Sequence, residues 1–482
     1  MPICIWNPLE PFMPPARFHL VGVAGSGMNP LAQALLASGC SVSGSDRFLD
    51  QGRDLDVLAK LRRAGVRLAP QDGSAVVPGT TAVVVSTAIE PGNPDLAAAA
   101  RLAIPVLHRA EMLSILAEGR DVCSVRERGL ELAPGPEQAP QPGARGEINH
   151  SRPPRELIAV AGTSGKTTVT GMVGFLLERL GDDPFVINGG VVAAWESPDA
   201  VGNVRPGRGP RWVVELDESD RSLLRFHPDW AVITNMSADH FPLEETQALF
   251  TRFAAQVRRG VVGRDDAAEP WRSFRPKIGP DGSRFEYGGA RFHVPLLGRH
   301  NAENALQAAM LCERLGHSLP RVAEALAGFC GIRRRLEVAG TVRGVTVIDD
   351  FAHNPAKIRA AWEAVAPYHR RVLAAWRPHG FGPLASLRDG LRPLFAEMAR
   401  AGVRLFLLPV FYAGGTAKGA VSSNDLAADL RADGADVEVL SNLDALVARL
   451  AAEAREGDAI LIMGARDPDL PAAARRLVAA LG

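Results

Sequence analysis

Seven residues constrain this 482-residue chain more than any others: Gly162-Thr163-Ser164-Gly165-Lys166-Thr167-Thr168. They follow an apolar run (157–161) and precede an amphipathic stretch (169–180). The pattern reads as a buried strand, a glycine turn and a helix. Glycines in such a turn let backbone N–H groups point inward at phosphate oxygens, and the helix N-terminus adds partial positive charge. The chain therefore contains an α/β layer built around a phosphate cradle. Lys166 is expected on the β and γ phosphates, and the Thr167 hydroxyl on Mg²⁺. Val160 stands where the full phosphate-loop pattern has its first glycine. Composition sharpens the point. Of 54 basic residues only five are lysines (Lys60, Lys166, Lys277, Lys357 and Lys418), so a compact ammonium is retained here in a chain that otherwise uses arginine.

A triphosphate needs metal ligands at the ends of neighbouring strands. Two segments supply candidates. Glu215, Asp217, Glu218 and Asp220 follow one apolar run, and Asp239 and His240 follow the next.

Elsewhere short apolar runs alternate with helical stretches of about ten residues, the mark of doubly wound parallel sheets. The fold class is α/β in three domains. Residues 1–118 form the first and 157–335 the second, with the phosphate loop at its start; 336–482 form the third. Residues 119–156 are rich in Pro, Gly, Gln and Glu and read as a linker or insertion.

In the first domain, Gly22-Val23-Ala24-Gly25-Ser26-Gly27 follows the opening strand, and Asp46 ends the second. A glycine turn and a strand-end carboxylate suit a diphosphate and a ribose hydroxyl. The spacing is GxxGxG, so a nicotinamide dinucleotide and any other nucleotide conjugate both stay open. Ser86 to Asp95 lies beyond a later strand of the same sheet, on the side where ligands bind.

Other classes are excluded. The 54 acidic residues balance the 54 basic ones, so no basic surface for bulk nucleic-acid binding is expected, a local patch staying open. No apolar run reaches the roughly 18 residues that span a membrane. Cys4, Cys40, Cys123, Cys312 and Cys330 are scattered without metal or disulfide spacing, which fits a reducing compartment. Residues 1–15 do not read as a signal peptide, so the expected location is the cytoplasm.

Taken in order, "HLVGVAGSGM", "SGSD", "NPD", "PVLHRAEML", "VAGTSGKTT", "NGG", "ELDESD", "TNMSADH", "GRHNAENA", "RRLEV", "VIDDFAHNP" and "GARDPDL" resemble the Mur ligase family over nearly the whole chain. The resemblance implies a Rossmann-like UDP-binding domain, a P-loop ATPase domain and a Rossmann-like C-terminal domain that closes over the nucleotide. It implies an ATP- and Mg²⁺-dependent ligase of peptidoglycan biosynthesis. Such an enzyme joins the carboxylate of UDP-N-acetylmuramate, or a close derivative, to an amino acid through an acyl phosphate, and L-alanine is the expected amino acid. The alternatives are another acceptor or amino acid, including tripeptide recycling, a non-catalytic paralogue, and a nicotinamide oxidoreductase. A monomer or homodimer is expected.

By the same resemblance, Gly162, Thr163, Ser164, Gly165, Lys166, Thr167 and Thr168 hold ATP. Thr167, Glu218 and His240 serve the metal. His300, Asn301 and Asn304 lie beside the adenine. Arg335 steadies the transferring phosphoryl group. Asp350 contacts the ribose, with His353 beside it. Gly25, Ser26, Gly27, Met28, Ser45, Asp46, Ser86, Thr87 and Arg109 fall in the UDP-sugar region. Lys166, Glu218, His240, Arg335 and His353 make up the catalytic set. Three positions depart from the pattern: Ser164 and Asn354 replace histidines, and Gly380 replaces an arginine.

Overall fold

The computed structural model describes residues 16–53, 55–120, 155–237, 241–265, 267–412 and 421–482. The first unit is a five-stranded parallel sheet in the order Arg67–Ala69, Ser41–Ser45, Arg17–Val21, Ala82–Val85, Val106–His108. This is a doubly wound order, and it reverses beside Arg17–Val21. The glycine turn follows that strand, at the switch point where ligands bind in such sheets. Local chemistry sets the helices. Asn93 caps Pro94–Arg101, and Gly65 ends Asp56–Ala64 with φ +106°.

The second unit is a six-stranded sheet in which Glu156–Ala161 lies between Trp230–Ile233 and Arg211–Glu215. Its strands are parallel except for the edge strand Val204–Pro206, which runs antiparallel to Phe185–Ile187. A separate antiparallel meander, Lys277–Gly279, Gly282–Tyr287 and Ala290–Val294, packs against the helices Arg299–Arg314 and Leu319–Leu326.

The third unit is a six-stranded sheet with Asp458–Gly464 between Val345–Asp350 and Arg371–Arg377. Glu337–Val342 is its antiparallel edge.

The first two units share one core. Leu31, Leu35 and Met112 of the first unit are buried in one cluster with Trp212, Phe226 and Phe250 of the second. That continuity fixes the glycine turn relative to the phosphate loop. Among the described residues, no helix is long and apolar enough to cross a membrane.

Candidate active site

The phosphate loop joins the strand Glu156–Ala161 to the helix Lys166–Arg179. Its glycines are required by shape. Gly162 has φ +130°, and a Cβ there would lie 2.1 Å from Thr234 Oγ1. Gly165 has φ +84°, and its Cβ would lie 2.6 Å from Asn304 Oδ1. The neighbouring strand end clamps the loop. The Ser164 N–H donates to Asn235 Oδ1 (3.1 Å), and Asn235 Nδ2 donates to the Ser164 carbonyl (2.9 Å). Thr234 Oγ1 donates to the same carbonyl at 2.6 Å. Gln307 donates to the Thr234 carbonyl (2.8 Å), so the helix Arg299–Arg314 braces the clamp. Thr234 and Asn235 lie in the quoted TNMSADH segment but were given no role there, and Gln307 lies outside every quoted motif. Their role is contact with a loop far away in sequence.

Lys166 Nζ lies 2.7 Å from the Gly162 carbonyl and 2.6 Å from Glu218 Oε2. Glu218 is only 2% exposed, and its other oxygen, Oε1, is buried with no hydrogen-bond partner. Burial raises its carboxyl pKa against the opposing pull of Lys166. The Thr167 hydroxyl donates to Glu215 Oε1 (2.9 Å), whose other oxygen accepts the Gly189 N–H (2.7 Å). Glu215 therefore orients the Thr167 hydroxyl, while Glu218 keeps an open acceptor in a buried setting. An orphaned, buried carboxylate oxygen suits a hard divalent cation, and among the described residues no three His, Cys, Asp or Glu side chains gather to hold one. Asp239 and His240, the remaining predicted ligands, lie outside the described residues.

The first unit reaches this centre through Arg109. Its Nη2 lies 3.3 Å from Asp217 Oδ2 and 3.5 Å from Asp220 Oδ2. A Cβ on Gly27 would lie 3.0 Å from Arg109 Nη1. One guanidinium thus connects the glycine turn to the acidic loop that pairs with Lys166. Burial raises the Asp217 pKa, but Lys166, the Ser219 N–H and Arg109 together hold it below the ordinary value.

Other predicted positions behave differently. Gly25, Ser26 and Thr87 are exposed and Ser86 half-buried, all at the open end of the sheet. The Ser45 hydroxyl turns inward instead, donating to the buried Asp95 (2.6 Å), so it does not face a ligand. The Met28 side chain belongs to the core. Asp46 accepts the Ala24 N–H (2.9 Å) and the Phe48 N–H (3.0 Å). One oxygen thus holds the glycine turn in shape, and the other caps the short helix Arg47–Asp50.

His300, Asn301 and Asn304 open the helix Arg299–Arg314. Burial pushes the His300 pKa down to about 4, so its ring is neutral at neutral pH. Asn304 donates to Asn301 Oδ1 (3.3 Å) and backs onto the phosphate loop at Gly165.

Arg335, Asp350 and His353 gather on the third unit, and none makes a hydrogen bond or ion pair with Lys166 or Glu218. The Arg335 guanidinium lies over the Phe351 ring, 5.0 Å from its centroid. Asp350 accepts the N–H groups of Leu336 and Ala352, each at 2.7 Å. One oxygen thus ties the start of this unit to its first central strand, and the other closes the turn that leaves that strand. Two departures have local explanations. Asn354 caps the helix Pro355–Val365 by accepting the Lys357 N–H (2.9 Å). Gly380 has φ +144°, a conformation that suits glycine alone.

Comparison with known proteins points to one family over the length of the chain. Three family models match in order: Mur ligase family, catalytic domain (residues 17–121), Mur ligase middle domain (160–249) and Mur ligase, glutamate ligase domain (334–466). The chain is 33% identical to a UDP-N-acetylmuramate–L-alanine ligase of Synechococcus sp. (strain JA-3-3Ab), covering 99% of this chain and 89% of the relative. The enzyme of that name from Dinoroseobacter shibae is 32% identical, covering 93% and 94%. Among solved structures, UDP-N-acetylmuramate–alanine ligase MurC of Thermotoga maritima superposes with a TM-score of 0.73 at 24% identity, covering 96% and 98%. A murein peptide ligase of Psychrobacter arcticus superposes at 0.62 and 22% identity, covering 97% and 99%.

Proposed function

The chain belongs to the Mur ligase family, and we propose that it joins L-alanine to the carboxylate of UDP-N-acetylmuramate with hydrolysis of ATP to ADP and phosphate. The observation that carries this reading is the Arg109 bridge. It sets a nucleotide-type glycine turn and a phosphate loop against one another, as transfer between two bound nucleotides demands.

The phosphate loop and Lys166 hold the β and γ phosphates of ATP. The substrate carboxylate attacks the γ phosphorus and ADP leaves, giving an acyl phosphate. The amine of alanine then attacks the acyl carbon, and the tetrahedral intermediate expels phosphate as the amide forms. The protein supplies positioning and charge. Lys166 trades its contact with the Gly162 carbonyl for phosphate oxygen. Arg109 holds the acidic loop in place while the sugar nucleotide sits over Gly25–Gly27. Thr167 and Glu218, with His240, would hold Mg²⁺, which neutralises phosphate charge when bound. Arg335 steadies the transferring phosphoryl group once the third unit swings in. Both nucleotide substrates are cytoplasmic metabolites, so the reaction belongs in the cytoplasm.

Phosphate release measured with UDP-N-acetylmuramate, ATP, Mg²⁺ and each amino acid in turn tests the reading. L-Alanine should give the highest kcat/KM, above a murein tripeptide, and EDTA should abolish turnover. Folded protein that releases phosphate with none of these would overturn it.

A further inference from the structure

The glycine turn of the first unit is held from the second unit by a chain of side-chain amides. Asn29 lies at the start of the helix Met28–Ala37. Its Nδ2 donates back to the carbonyls of Gly25 (3.0 Å) and Ala24 (3.4 Å). Its Oδ1 accepts from Asn203 Nδ2 at 2.6 Å, across 174 positions of sequence. Asn203 Oδ1 in turn accepts from Gln33 Nε2 (2.9 Å). Asn29 and Asn203 are 5% and 2% exposed, so the chain is closed to bulk water.

The polarity of this chain is dictated from one end. A carbonyl oxygen only accepts, so Asn29 must offer Nδ2 to the turn and Oδ1 to Asn203. Asn203 must then offer Nδ2 to Asn29, which leaves its Oδ1 for Gln33. No amide in the series can flip without setting two acceptors or two donors face to face.

Asn203 is itself fixed in place. Gly202, just before it, has φ +90°, and a Cβ there would lie 2.8 Å from the Glu196 nitrogen. The Gly202 carbonyl accepts the Val192 N–H (2.8 Å), and the Asn203 carbonyl accepts the Asn188 N–H (2.9 Å). The residue after Asn188, Gly189, donates to Glu215, which accepts the Thr167 hydroxyl (2.9 Å). Asn203 thus serves two loops. Its side chain reaches the glycine turn, and its carbonyl holds the segment that anchors Glu215 beside the phosphate loop.

We infer that Asn203 is a positioning residue: acting through Asn29, it sets the Gly25–Gly27 turn against the phosphate loop for transfer between the two nucleotides. This rests on the ligase reading above, in which the sugar nucleotide sits over Gly25–Gly27. Arg109 adjoins that turn at Gly27 and Asn29 grips it at Gly25, so both ends of the turn are referred to the second unit. An amide pair holds such a position well, because a buried donor or acceptor left without its partner is costly.

The first test is Asn203→Asp, which keeps the shape but sets an oxygen against Asn29 Oδ1. Flipping Asn29 gives no relief, because its Oδ1 would then face the Gly25 carbonyl. In titration calorimetry the Kd for UDP-N-acetylmuramate should rise about 10-fold or more. The Kd for Mg²⁺ with the ATP analogue AMP-PNP should stay within about twofold, since the Asn203 carbonyl is untouched and sites without shared partners respond independently. The second test compares Asn29→Leu, Asn203→Leu and the double variant. The double replaces both partners by apolar groups of similar shape, so its Tm should stay within a few degrees of wild type. Because the two residues act in series, it should weaken UDP-N-acetylmuramate binding by about as much as either single variant. If Asn203→Asp does not fold, the double variant decides alone. An unchanged Kd for UDP-N-acetylmuramate in the folded double variant would overturn the inference. So would an equal loss for both nucleotides, or single effects that add. Wild type that binds AMP-PNP but not UDP-N-acetylmuramate would instead bring down the ligase reading, and this inference with it.

Discussion

At the scale of single residues, lysine and glycine carry the clearest demands. Lys166 Nζ fits between the Gly162 carbonyl and Glu218 at 2.7 and 2.6 Å. Arginine keeps the charge, but its planar, longer head cannot occupy that gap. Lys166→Arg should lower kcat by about 100-fold or more while leaving Tm within a few degrees. Paired activity and melting measurements check both halves, and near-wild-type kcat would remove Lys166 from the phosphate site. Gly162→Ala acts through shape: a methyl group 2.1 Å from Thr234 Oγ1 breaks the clamp on Ser164. It should cost about 1–3 kcal/mol of stability, visible in denaturant unfolding, and abolish ATP turnover. Lys166 and Thr167 were legible in the sequence because they share one contiguous motif, and Glu218 comes from a second, 52 positions on, which the structure brings to 2.6 Å from Lys166. The inward turn of Ser45 was not legible. Its hydroxyl answers to Asp95, which sits fifty positions away in sequence and binds His19 as well.

At the scale of elements, strands and helices of the parallel layers follow their apolar periods closely, since burial on both faces leaves a continuous signal. The meander at 277–294 and the edge strands Val204–Pro206 and Glu337–Val342 escaped notice. They are short and interrupted by glycine and arginine, and only their partners make them strands. The edge pairing also creates an electrostatic feature. Glu337 lies opposite Asp349, which is buried with neither oxygen hydrogen-bonded and with Arg334 Nε at 3.4 Å. Burial pushes the Asp349 pKa up to about 6, against the pull of Arg334. Because the folded protein holds this proton more tightly than the unfolded chain, the group lowers stability as pH rises from about 4 to 6. Asp349→Asn should remove that part of the slope. The variant should match wild type near pH 4 and exceed it by about 1–3 kcal/mol at pH 7. Urea melts at several pH values check this, and parallel pH profiles for the two proteins would contradict it.

At the scale of the whole molecule, the joints between the units differ in kind. The first two are fused by a shared core and by Lys60, buried between Asp56 (2.9 Å) and Glu196 (3.1 Å). The third follows a junction where Arg334 and Leu336 both have positive φ, at +62° and +48°. It meets the first unit through the ion pair Arg53–Asp469 at 2.8 Å, whose side chains are 32% and 50% exposed. An exposed pair contributes only about 0–1 kcal/mol and is screened by salt, since the Debye length falls from about 10 Å at 0.1 M to about 3 Å at 1 M. The third unit is therefore joined to the first more weakly than the second is, although Leu297 of the second unit packs on its core, and the proposed phosphoryl transfer calls for a motion that brings Arg335 toward Lys166. Small-angle scattering on ligand-free protein reads it directly. A compact chain of this length has a radius of gyration of about 23 Å. Raising salt to 1 M should increase the measured radius, because the latch weakens while the buried core between the first two units does not. Arg53→Ala should show the larger radius already at low salt and lose its salt dependence. A radius that ignores both salt and Arg53 would mean that contacts other than this latch set the position of the third unit.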